Sequence, residues 1–154
     1  MENESAQFRK LLERMTQAIC RGDGEAAAAC FIPDGTYHDG FYGEFRGHES
    51  IRAMVEQHFH ANARDFSWIL SDALSDGKLA YARYAFAYTS KIAGSDGKRV
   101  FFSGISQVRL QDGLIAHYGE VFDRGIALAQ MNFAPERIAK SLARWAEAEI
   151  KAQK

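Results

Sequence analysis

The sequence predicts an α+β fold: a curved sheet of mixed, mostly antiparallel strands rolled into a cone, with helices laid across its concave side to enclose a pocket. Three observations predict it. The chain of 154 residues is long enough for one core and short for two. Apolar residues recur at helical spacing near both ends, and four β-rich runs between them are separated by short glycine-containing turns. One domain over residues 1–154 follows, since no internal repeat, low-complexity tract or linker divides it.

Phe8, Leu11, Leu12, Met15 and Ile19 fall on one side of a helix spanning residues 4–21, with Asn3 or Ser5 as its cap. Gly22-Asp23-Gly24 stops it, and the alanine-rich residues 25–30 form a short second helix that Pro33 ends. Residues 36–39 are the first strand, and residues 41–47, which have no period, read as a loop. Ile51, Met54, Val55, His58 and Phe59 predict a third helix over 48–61. Residues 64–74, 78–90, 98–110 and 114–122 then form a meander, turning at Ser75-Asp76-Gly77, at 93–97 and at Gln111-Asp112-Gly113. From Asp123 the pattern is helical again, and Ala134-Pro135 opens a last helix with Ile138, Leu142, Trp145 and Ile150 on its apolar side.

Nineteen Lys and Arg against twenty Asp and Glu leave a net charge of −1, with no basic stretch to follow a phosphate backbone, so nucleic acid is not an expected partner. The longest apolar stretch, residues 26–32, is far short of the ~20 residues of a membrane helix, so no membrane partner is expected. The acidic start Met-Glu-Asn-Glu-Ser, with no apolar segment behind it, predicts a cytoplasmic protein, in which Cys20 and Cys30 are buried thiols. Of the 19 aromatic residues, 15 lie between Tyr37 and Phe122, the segment that builds the sheet. Six of the 13 glycines follow an aspartate, which turn chemistry largely explains.

Strand alternation nominates the site. Tyr118, Glu120 and Phe122 share one face of the last strand, and the two aromatics make it the inner one. Glu120 would then sit among aromatic rings, where desolvation raises its pKa toward acid/base use. The alternative is a Glu facing water or paired with an arginine across the sheet. Tyr37 and Asp39 share a face of the first strand, where Tyr37 could donate to a substrate oxygen and Asp39 accept a proton. Asp39-Gly40 is equally the signature of a turn. Arg83 faces the pocket if the odd positions of 78–90 are inward, and is a cross-strand ion-pair residue if they are outward. No metal is expected: His58 and His60 diverge on a helix, His117 and Glu120 lie on opposite strand faces, and no H-E-x-x-H or C-x-x-C is present. Without G-x-S-x-G or G-x-G-x-x-G, neither a nucleophilic serine nor a dinucleotide cofactor is expected.

The order of elements, with Thr36-Tyr37-His38-Asp39, Gly47-His48-Glu49-Ser50-Ile51 and the run from Gln111 through Glu120 to Asp123, resembles the nuclear transport factor 2-like superfamily, and within it the SnoaL-like and limonene epoxide hydrolase-like branch. The resemblance covers residues from about Gln7 to Leu142. It implies a cone of curved sheet wrapped by helices and a homodimer formed through the outer sheet face. The fold hosts isomerases, dehydratases, cyclases, hydrolases and non-catalytic binding modules. Carried over residue by residue, the epoxide hydrolase's catalytic carboxylate falls on Glu120, its Tyr-x-Asn on Tyr37-His38-Asp39, and its Arg-x-Asp on Arg83-Tyr84-Ala85, so that Ala85 stands where the second Asp is required. What remains resembles the equipment of the SnoaL-like cyclases and ketosteroid isomerases.

The expectation is a small cofactor-independent acid/base enzyme using Glu120, Tyr37, Asp39 and Arg83. Its pocket is walled by Tyr118, Phe122, Trp68, Phe59, Phe41 and Phe102 around a mostly apolar, oxygenated polyketide-, steroid- or terpene-like molecule. The alternative is a non-catalytic binding or dimerisation module of the same fold, which Ala85 favours.

Overall fold

In a computed structural model, which describes residues 3–154, the chain opens with helix α1 (Glu4–Cys20). Its first turn is held by the Asn3 side chain, which accepts the Ala6 N–H at 2.8 Å. Phe8, Leu11, Leu12, Met15 and Ile19 are all buried, as their spacing requires, and α1 lies against the sheet through its β3 strand (Ala63–Ser75). Helix α2 (Gly24–Ala28) is capped by Asp23 and gives way to strand β1 (Phe31–Asp39), longer than residues 36–39 because its first half also pairs with the last strand.

Residues 41–47 are not a loop throughout. Gly43–Arg46 is strand β2, which folds back antiparallel on β1 with Thr36 opposite Arg46 and Asp39 opposite Gly43. The third helix is interrupted: α3 (His48–Ala53) runs into a π-helical segment, Met54–Phe59, and closes with α4 (His60–Asn62). Strands β3, β4 (Leu79–Ser90), β5 (Arg99–Gln111) and β6 (Leu114–Phe122) form the meander, followed by α5 (Arg124–Gln130) and α6 (Pro135–Ala152), whose proline occupies the first turn. The β5–β6 hairpin turns on Asp112 and Gly113, at φ +52° and +77°, the positive-φ pair that a tight primed turn needs.

The six strands form one mixed sheet in the order β2-β1-β6-β5-β4-β3, antiparallel at every step except β1 with β6. Two register shifts in β3, beside Asp65 and Asp72 with positive φ, bend that strand. The bent sheet wraps α1, the segment from α3 to α4 and a shared core, leaving open the end of the cone where β3, β4 and β5 meet α5 and α6. None of the described helices is long and apolar enough to cross a membrane.

Candidate active site

The open end of the cone is a cavity of ≈ 460 Å³, within the range of small-molecule sites. Rings from most of the surrounding elements line it. Phe41 follows β1, Phe59 ends the π-helical segment, Phe66 and Trp68 come from β3, Tyr84, Phe86 and Tyr88 from β4, Phe102 from β5 and Phe122 from β6. The rings hold one another edge-on and stacked: Phe102 stacks on Phe122 at 4.5 Å, and Phe41 meets both edge-on.

Two carboxyls, Glu120 and Asp39, open on this apolar chamber. Alternation along β6 points Tyr118, Glu120 and Phe122 inward, and the Glu120 carboxylate receives three phenolic hydroxyls. Tyr118 donates to Oε1 at 2.7 Å, Tyr37 to the same oxygen at 3.3 Å, and Tyr84 to Oε2 at 3.4 Å. Tyr118 is itself fixed by Ser106 at 3.0 Å and stacks on Tyr37 at 4.6 Å. Gly104 makes the third contact possible. It lies on β5 between Tyr84 and Phe122, and a Cβ there would come within 2.6 Å of the Tyr84 hydroxyl and of the Val121 carbonyl.

Burial pushes the Glu120 pKa up to about 8, and the neighbouring Asp39 charge adds to the rise against the pull of the three hydroxyls. Asp39 is 5% exposed. Its Oδ2 accepts the N–H groups of Phe41 at 2.8 Å and Tyr42 at 2.9 Å, which closes the β1–β2 turn. Burial raises the Asp39 pKa, and the two backbone N–H groups oppose the rise. The turn reading and the site reading of Asp39 therefore hold together: one oxygen shapes the turn, and the side chain lines the cavity. Burial first, and the Glu120 charge second, raise the pKa of Tyr37, Tyr84 and Tyr118, which keeps these phenols protonated as donors.

Several expected positions differ. Arg83 is not in the cavity. The even positions of β4 face inward, so Arg83 lies on the outer face, where it is 71% exposed and 3.6 Å from Asp72 of β3. Ala85 shares that outer face, so an aspartate there could not reach the chamber and its absence removes nothing from the site. Tyr37 and Tyr118 are completely buried behind Glu120 and are absent from the cavity wall, so they hold the carboxylate and do not meet a ligand. Phe122, Trp68, Phe59, Phe41 and Phe102 line the cavity. Trp68 has a buried indole N–H without a hydrogen-bond partner.

Tyr84 was missed, although a signal was present. Tyr84, Phe86 and Tyr88 put three rings at even positions of β4 against the single Tyr81 at odd ones, the criterion that oriented β6 correctly. His38, Glu44 and His117, whose possible ligand atoms lie within 4.8 Å of one another, face away from the chamber across β2, β1 and β6.

Comparison with known proteins places this geometry in a family. The sequence profile of the SnoaL-like domain matches residues 12–118. The chain belongs to the SnoaL-like domain family. This family lies in the nuclear transport factor 2-like superfamily.

Among solved structures, the SnoaL-like chain is similar to TsrD from Streptomyces laurentii, at 25% identity and a TM-score of 0.70 over 85% of this chain and 98% of that one. It is also similar to a proposed polyketide cyclase of Xanthomonas campestris, at 18% identity and a TM-score of 0.68 over 84% and 100% of the two chains. An LEH-like epoxide hydrolase of M. tuberculosis has 17% identity and a TM-score of 0.68 over 85% and 89%. No curated protein matches the chain in sequence. The likeness to the last two structures is one of fold.

Proposed function

We propose that this SnoaL-like domain is a cofactor-independent acid/base enzyme of the isomerase or cyclase type, acting next to a carbonyl of a mostly apolar molecule held in the cone. The observation that carries the reading is a carboxyl group at about pKa 8 that opens on an aromatic chamber while three buried tyrosines hold it in place.

With its pKa raised above neutrality, Glu120 holds its proton at neutral pH. It therefore serves as the general acid, donating to the substrate's carbonyl oxygen as charge develops there. Asp39, whose two backbone N–H partners offset part of the cost of burying its charge, takes a proton from the carbon beside that carbonyl. Tyr37, Tyr84 and Tyr118 are positioning residues that fix the acid. Burial raises both carboxyls, and the two backbone N–H groups oppose the rise at Asp39, so the pair offers one acid and one base.

The test is exchange of the α-hydrogens of an apolar ketone, 2-tetralone, in D2O followed by NMR. The wild-type domain should accelerate exchange, and Glu120→Gln and Asp39→Asn should each lose at least about a hundredfold. The rate should fall as pH rises through about 8, because the acid loses its proton; a rise there would make Glu120 the base. Binding of the ketone without exchange would favour the binding module. That alternative is weakened by the outward position of Ala85, which had been its support. The proposed assembly is a homodimer in which a second copy covers the outer sheet face.

A further inference from the structure

The same cavity has a charged rim that proton transfer leaves unused. Arg137, Lys140, Ser141 and Arg144 of α6 line it. Their spacing of three, four and seven residues puts them on one side of the helix. This side is adjacent to the one that seats α6, where Ile138 and Trp145 pack against the core. The nearby Arg124 is already engaged: it donates to the Gly40 carbonyl at 2.9 Å, lies over the Trp145 ring at 4.3 Å and reaches Glu149 at 3.5 Å. Arg137, Lys140 and Arg144 have no acidic partner within 4.0 Å among the described residues, and Arg137 rests on the Phe133 ring at 4.2 Å.

Three like charges on one helix side repel one another, and a chain of net charge −1 has no general excess of cations that would put them there. At the mouth of a low-dielectric chamber they create a positive field that draws anions in. Among the described residues the inner end of the cavity has no cation: the Asp39 carboxyl and the protonated Glu120 lie there. An apolar molecule with one acidic group would therefore enter in a single orientation, its rings among the aromatic side chains and its acid outward.

We infer that the substrate is an amphipathic acid, an apolar ring system bearing a carboxylate or phosphate that Arg137, Lys140 and Arg144 hold at the rim. This rests on the reading of the cavity as the substrate site.

Three probes with one ring system test it by calorimetry: 1-naphthaleneacetate, 1-naphthyl phosphate and the uncharged 1-naphthaleneethanol. The two acids should bind at least about tenfold more tightly than the alcohol in 20 mM salt, with the ratio shrinking as salt rises. The difference between acetate and phosphate ranks the two anions. In the triple variant Arg137→Gln, Lys140→Gln, Arg144→Gln, checked for folding by circular dichroism, the acids should fall to the level of the alcohol. Equal affinity for acid and alcohol in the wild-type domain, or an acid preference that survives in the triple variant, overturns the inference and leaves the Glu120 reading intact. No binding of any probe at millimolar concentration overturns both. Loss of ketone exchange in Glu120→Gln with the acid preference unchanged supports both.

Discussion

Glu120 carries the proposed acid chemistry in one side chain, and its pKa couples that side chain to stability. A carboxyl whose folded-state pKa is raised from 4.5 to about 8 binds more protons when folded than when unfolded throughout that window. Stability therefore falls as pH rises from about 4.5 to 8, and burial of Asp39 acts in the same direction. Glu120 is only partly buried, and solvent screening brings the effect to roughly 2–4 kcal/mol. Urea unfolding at pH 5 and pH 9 should show that decline, and Glu120→Gln should flatten most of it. Tyr118→Phe removes the shortest of the three hydroxyl contacts and with it a stabiliser of the anion. The alkaline limb of the pH–rate profile should move upward by about one unit, read from the ketone-exchange rate. A Tyr118→Phe profile superimposable on the wild-type one would remove Tyr118 from the site. Period-two alternation nominated Glu120, Tyr37 and Asp39 but left the directions of Glu120 and Asp39 open, and the fold turns all three toward one cluster. For Arg83 the same ring count, three at even positions of β4 against one at odd, pointed outward, but alanines on both faces left the inward reading open. The space that Gly104 leaves for Tyr84 is a three-strand relation, and single-strand periodicity does not report it.

At the scale of elements, long periodic segments were legible and short context-made ones were not. The four strands of the meander and the first and last helices fall within a few residues of their expected bounds, since each carries its own period and turn signals. Strand β2 has four residues and exists because Asp39 folds the chain back onto β1. The π-helical segment and the bends of β3 likewise depend on packing. Helix α6 shows what its sequence could not tell. It is strongly amphipathic, yet none of its residues is fully buried, because its apolar side spans a cavity mouth in place of a closed core. Phe41 and Arg124 hold it through Trp145, with ring and guanidinium centres at 6.1 and 4.3 Å. Amide hydrogen exchange should therefore be much faster in α6 than in β4 and β5. Trp145→Ala should accelerate it further while lowering global stability by no more than about 1–2 kcal/mol. Exchange in α6 as slow as in the sheet would mean that the mouth stays shut.

For the whole molecule, the outer face of the sheet is the large feature that none of the described residues covers. Cross-strand register brings Val121, Ile105 and Arg83 into one row, Ser103, Ala85 and Ile69 into the next, and Phe101 and Ala87 into a third. Ile69, Phe101, Ile105 and Val121 are 65, 54, 45 and 66% exposed. Four large exposed apolar side chains on one sheet face, with small side chains between them, form the kind of patch that marks an interaction surface. A second copy of the same face can meet it about a two-fold axis, small residues admitting the large ones of the partner. An interface of about 800 Å² per protomer would place such a dimer in the ordinary range of stable complexes. Sedimentation equilibrium should give twice the chain mass at micromolar concentration, and the melting temperature should rise with protein concentration, as expected when association stabilises only the folded state. Ile105→Asp puts a charge near the centre of the patch and should weaken the dimer by at least about a hundredfold. Ile105 is on the face opposite the cavity, so the monomeric variant should keep the pH-dependent stability assigned to Glu120. A wild-type chain that sediments as a monomer, or an Ile105→Asp variant that still dimerises, would move the interface elsewhere.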